Sequence, residues 1–67
     1  MHKKYPVGVR RALKAAGGLS ALARLLKITP QSIQKWVRVP RKRILEIERL
    51  TGVNRAKLAP DLFLYHK

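Results

Sequence analysis

Apolar residues recur every three or four positions along most of this chain, and glycine or proline interrupts the recurrence at short intervals. That pattern predicts several short amphipathic helices rather than strands. Val9, Ala12, Leu13 and Ala16 fall on one side of a helix spanning Val7 to Ala16, with Arg10, Arg11 and Lys14 on the other. Pro6 fits its first turn, where a missing N–H costs nothing. Gly17-Gly18 ends it, because glycine accepts the left-handed backbone of a helix C-terminus. Ser20 is the expected N-cap of a second helix, its hydroxyl accepting from an orphan N–H two or three residues on. Leu22, Ala23, Leu25 and Leu26 form that helix's apolar face, and it ends near Lys27.

Thr29-Pro30 restarts the chain, threonine as N-cap and proline at the first helical position being a specific start signal. Ile33, Trp36 and Val37 give the third helix a buried stripe, while Gln31, Ser32, Gln34, Lys35 and Arg38 cover its remainder. Pro40 ends this helix or begins the next. The fourth helix is expected from Pro40 to Thr51, with Ile44, Ile47 and Leu50 in the core, Leu45 beside them, and Gly52 as its stop. Asn54 caps one more turn, Arg55 to Leu58, before Pro60 breaks it. The end, Asp61 to Lys67, is short and apolar, an extended arm or a strand. The expected fold is therefore all-α, a single domain over residues 1–67, with five helices and a short C-terminal tail.

Sixty-seven residues confine the core, since a chain of this length buries only about 60% of the surface its unfolded form exposes. Pairing of two copies is one way to extend such a core. There is no cysteine, hence no disulfide framework and no thiolate metal site. No apolar run approaches the roughly 20 residues that span a bilayer, and no apolar segment follows the basic N-terminus as a signal peptide requires. A cytoplasmic protein without a membrane partner is expected.

Charge changes the picture most. The formal net charge is +13, and residues 1–45 hold twelve lysines or arginines and no acid; Glu46, Glu48 and Asp61 all lie later. Self-repulsion on this scale opposes a compact fold, and a polyanionic partner relieves it. Arg41, Lys42 and Arg43 occupy the first turn of the fourth helix, where the helix dipole disfavours cations, so negative charge from a partner would be favourable there too. Catalytic chemistry is not indicated. Ser20, Ser32 and Asp61 have no histidine placed to activate a nucleophile, and Glu46 and Glu48 are two apart, on different helix faces. His2 and His66 lie near the two ends of the chain. Neither an enzymatic activity, nor a cofactor, nor a metal, nor a small-molecule substrate is expected.

The stretch from Leu19 to Arg38 resembles the twenty-residue helix-turn-helix of phage repressors and Cro proteins, the motif that sets a second, recognition helix in the DNA major groove. Leu22, Leu26, Ile28, Ile33 and Trp36 match the family's buried positions, and the small Ala23 sits where the two helices cross closely. The wider span, Gly17-Gly-Leu-Ser-Ala-Leu-Ala-Arg through Lys35-Trp36 to Arg49-Leu-Thr-Gly52 and Pro60-Asp-Leu-Phe63, is similar to small Cro-like proteins, including the YdaS-like group encoded in prophages. The chain departs from the pattern at Lys27, where the family's turn usually has glycine.

The resemblance implies a λ-repressor-like, Cro-like DNA-binding domain, a transcriptional regulator of a phage or prophage operator, acting on double-stranded DNA beside the bacterial nucleoid. Carried over, its groove-reading positions are Thr29, Pro30, Gln31, Ser32, Gln34 and Lys35. Glutamine can pair with adenine N6/N7 and lysine can donate to guanine O6/N7, which puts Gln31 and Lys35 first and Gln34 next. Pro30 can pack on a thymine methyl. Ser20, Lys27, Arg38, Arg41, Lys42 and Arg43 are the expected phosphate contacts; Lys3, Lys4, Arg10, Arg11 and Lys14 are weaker candidates. Such proteins act as two-fold dimers on pseudo-palindromic sites with half-sites about 34–36 Å apart, and Leu62, Phe63, Leu64 and Tyr65 are assigned to dimerisation. The alternatives are a DNA-binding antitoxin or regulator of a prophage toxin cassette, an RNA-binding module, and a membrane-active cationic protein. Against the last two stand the scarcity of aromatic residues for base stacking and helices too short for a wide continuous apolar face.

Overall fold

The computed structural model describes residues 5–63, with the side chains of Asp61 and Phe63 outside the description. Every regular element among these residues is helical: α1 (Val7–Ala16), α2 (Leu19–Leu26), α3 (Pro30–Gln34), α4 (Arg41–Thr51), α5 (Arg55–Leu58) and α6 (Pro60–Phe63). The five expected helices are present, and Pro60–Phe63 is a further helical turn where an arm or strand was expected. Pro60 starts this turn instead of only ending α5, in keeping with proline's preference for a first helical position. The remainder of the tail, residues 64–67, lies outside the described residues.

The helix ends obey local chemistry. The backbone N–H groups of Gly17 and Gly18 both donate to the Leu13 carbonyl, at 3.0 and 2.8 Å, closing α1 through a left-handed Gly17. The N-cap of α2 is Gly18 and not Ser20, which sits exposed one position inside the helix. Gly18 has φ 123°, a conformation closed to most residues, and that lets the chain re-enter a helix directly after leaving one. Gly52, at φ 82°, ends α4. Asn54 caps α5 as expected, accepting from the Ala56 N–H at 2.7 Å.

The core is built from Val9, Ala12, Leu22, Ala23, Leu26, Ile33, Val39, Ile44, Ile47, Leu58 and Ala59, all buried. Ile28, Trp36 and Leu62 pack against it half-buried. Helix α1 crosses α2, α4 and α5, while α3 packs chiefly on α2. Gly8 sits at the α1–α5 crossing, where a Cβ would overlap the Leu58 carbonyl.

Four sequence expectations fail in the core. Val37 is 81% exposed instead of buried on a helical stripe, and Leu45 and Leu50 of α4 are 55% and 41% exposed. Leu25 of α2 is also exposed. The first miss has a clear cause: α3 stops at Gln34. The N–H groups of Ser32, Lys35 and Trp36 bond to carbonyls three residues back, tightening the chain out of the α-helix. Proline disfavours helical backbone at the residue before it, and Val39, just before Pro40, lies outside any helix. Val39, unassigned in the sequence reading, then takes the core position and Val37 turns outward.

Lys27 is the one positive-φ residue other than glycine among the described residues, at φ 60°, ψ 42°. It forms the turn of the motif, with its N–H donating to the Arg24 carbonyl at 3.2 Å and the next N–H, of Ile28, donating to the Ala23 carbonyl at 3.0 Å. A side chain in this region costs about 1 kcal/mol. Lys27→Gly is therefore expected to raise stability by roughly 0.5–1 kcal/mol, the lower figure allowing for glycine's greater unfolded-state entropy. Urea denaturation checks this, and a less stable variant would show that the lysine side chain holds the turn.

Candidate nucleic-acid interface

Helix α3 begins with Thr29, whose Oγ1 accepts from the Ser32 N–H at 3.3 Å and shares a 2.9 Å hydrogen bond with Ser32 Oγ. Both hydroxyls expected to face DNA are thus engaged with each other, in holding the helix start. They orient α3 first; one O–H is spent between them, and the other O–H and the unused lone pairs remain for a partner. Pro30, half-buried, pre-sets the first turn.

Opposite the buried Ile33 lie the exposed Gln31, Gln34 and Lys35. At 3.6 residues per turn these three fall within an arc of about 100°. Lys35, the C-cap, still has right-handed helical backbone at φ −87°, ψ −7°, so it stays close to this register. Two amides and one ammonium on one side of a helix supply donors and acceptors matched to base edges.

Cations flank this helix. Lys27 is exposed on the turn before it, and Arg38, Arg41 and Lys42 are exposed after it. Arg41 and Lys42 stand in the first turn of α4, which contains no acid. Arg43 differs: its Nη1 donates to Glu46 Oε1 at 3.0 Å, and its side chain is only 26% exposed. That pair directs Arg43 along its own helix and leaves Arg41 and Lys42 as the outward cations of the turn. Glu48 is likewise occupied, accepting from the Arg55 N–H at 3.1 Å while pairing with Arg55 Nη2 at 3.2 Å. The only two carboxylates with described side chains therefore have cationic partners on their own side of the chain, and neither opposes the charge around α3.

Some candidates lie elsewhere. Arg11 Nη1 donates to the Lys57 carbonyl at 2.9 Å, tying α1 to α5. Leu62 packs on the core of its own chain, which removes part of the apolar surface assigned to dimerisation; the side chain of Phe63 and residues Leu64 and Tyr65, like Lys3, Lys4, His2 and His66, lie outside the described residues. Among the described residues no group of three His, Cys, Asp or Glu side chains could hold a metal, and no helix is long and apolar enough to cross a membrane.

A short helix capped by Thr29-Pro30, packed on α2 through a tight turn and bearing its polar side outward, defines a small all-α helix-turn-helix domain. The chain belongs to the family described as "Bacterial toxin YdaS", whose model matches residues 9–66. It is similar to the "Putative transcriptional regulator YdaS" of Escherichia coli strain K12, with 36% identity over 66 aligned positions that cover 90% of this chain and 67% of that protein. No solved structure matches the chain.

Proposed function

We propose that this chain is a sequence-specific, double-stranded-DNA-binding transcriptional regulator without enzymatic activity, working in the bacterial cytoplasm beside the nucleoid. The observation that carries this reading is the single outward side of α3, Gln31, Gln34 and Lys35, set between the exposed cations Lys27, Arg38, Arg41 and Lys42. Base-reading groups flanked by phosphate-binding ones are what groove recognition requires. The name of the Escherichia coli relative, "Putative transcriptional regulator YdaS", points the same way. In this reading α3 enters the operator major groove, Thr29, Pro30 and Ser32 fix its approach, and Ser20 meets the backbone at the start of α2. Two copies occupy a pseudo-palindromic operator and repress by blocking polymerase, as a Cro protein does. The family's description as a toxin favours a second reading, in which the same DNA-binding domain regulates a prophage toxin cassette.

Salt dependence tests the electrostatic half of the reading. Four cations per copy on two copies neutralise eight phosphates, so log Kobs against log salt should have a slope of about −7. Fluorescence anisotropy on operator duplex should then show affinity falling by about ten-thousand-fold between 50 and 200 mM salt. A flat response, or tighter binding to RNA or anionic vesicles than to duplex DNA, would overturn the proposal.

A further inference from the structure

We propose that the α1–α5 face is a second duplex-binding surface, so that one copy of the chain engages two DNA segments at once. This inference rests on the DNA-binding reading and assigns the cations which that reading leaves unused. Arg10, Arg11 and Lys14 fall within an arc of about 100° on α1, opposite the buried Val9 and Ala12. The bond from Arg11 to the Lys57 carbonyl sets Lys57 of α5 beside this stripe and continues it across the helix boundary. Arg10, Lys14 and Lys57 are exposed, and no described carboxylate pairs with them, because Glu46 and Glu48 are held by Arg43 and Arg55.

The face is separate from the reading face. Helix α5 packs on α1, α4 and α6, whereas α3 packs chiefly on α2. The α1–α5 cations thus stand on helices other than α3 and the two turns that flank it. Like charges three and four residues apart, as in Arg11 with Lys14 and Arg10 with Lys14, destabilise a helix. A phosphate backbone, with one negative charge per roughly 1.7 Å of duplex axis, reverses the sign of that interaction. Among the described residues the face has no aromatic side chain to stack an unpaired base, and its described apolar content is Val7 and Ala15, too little to enter a lipid boundary. A second DNA duplex is the polyanion it fits.

The test uses the full chain and two short duplexes of unrelated sequence, one carrying a donor dye and the other an acceptor. Energy transfer should appear as protein is added and decline at protein excess, when each duplex is saturated separately. The double variant Arg10→Gln, Lys14→Gln should need about tenfold more protein for half-maximal transfer, while its anisotropy affinity for one duplex changes by less than about threefold. Arg24→Gln with Arg49→Gln, a matched loss of charge, should leave transfer within about threefold of the parent. Binding of one duplex without any transfer would overturn this inference and leave the DNA-binding reading standing. So would transfer equally weakened in both double variants, transfer insensitive to Arg10 and Lys14 (bridging by two reading faces of a dimer), or transfer seen with duplex RNA alone. Failure to bind any duplex would overturn both.

Discussion

Gly8→Ala is expected to lower the melting temperature by roughly 10–20 °C, the effect of about 2.5 kcal/mol in a domain of this size. Two terms oppose each other at this position. Gly8 lies inside α1, where alanine is intrinsically better by about 1 kcal/mol. A Cβ there, however, would overlap the Leu58 carbonyl, and a backbone neighbour cannot swing aside as a side-chain tip can. Relief requires α5 to move off α1, which also exposes the fully buried Val9 and Leu58. The clash therefore outweighs the propensity. Gly52→Ala provides the contrast. It has positive φ but nothing within 4 Å of the new Cβ, so it should cost only about 1 kcal/mol of backbone strain and shift melting by roughly 4–8 °C. Calorimetry on the two variants separates packing from conformation; an unchanged or raised melting temperature for Gly8→Ala would show that the α1–α5 crossing is looser than described.

Replacing both Gln31 and Lys35 with alanine should remove sequence preference while leaving nonspecific binding largely in place. Each bidentate base contact discriminates by about 1–3 kcal/mol, so losing two should reduce the ratio of operator to random-duplex affinity by about a hundredfold or more. Neither side chain contributes to the core, and both are exposed, so the melting temperature should stay near that of the parent. Lys27, Arg38, Arg41 and Lys42 remain, and the salt slope for random duplex should be nearly unchanged. Competition titrations with operator and random duplex measure the ratio. An unaltered ratio would move base readout off α3; a collapse of all binding would show that Lys35 serves the backbone, not the bases.

What could be read from the sequence divides along a physical line. Features set by neighbouring residues were mostly legible: the Thr29-Pro30 start of α3, the Asn54 cap, the Gly17 and Gly52 ends, and the costly left-handed turn at Lys27; the exception is the N-cap of α2, expected at Ser20 and found at Gly18. Features set by packing were not. Helix α3 ends at Gln34 and the buried position falls to Val39 beyond it, where periodicity alone placed Val37. The need for glycine at position 8 comes from α5 lying against α1 and has no signal in the neighbouring residues. Leu45 and Leu50 carry the right spacing but lie outside the narrow stripe that α4 buries, where Ile44 and Ile47 suffice. For the candidate site, Gln31, Gln34 and Lys35 were named from the resemblance to the helix-turn-helix family, and α3 leaves all three exposed. The Arg43–Glu46 pair carries a local signal in its i,i+3 separation, and the Arg11–Lys57 bond has none.

The central claim, that α3 reads a defined DNA sequence, is tested most directly by selecting bound duplexes from a random pool with the full chain. Convergence on one site is expected, with two inverted half-sites whose centres are about 10–10.5 base pairs apart or a multiple of that. Recovery of a pool with no shared sequence, from a protein that nonetheless binds duplex DNA, would contradict it.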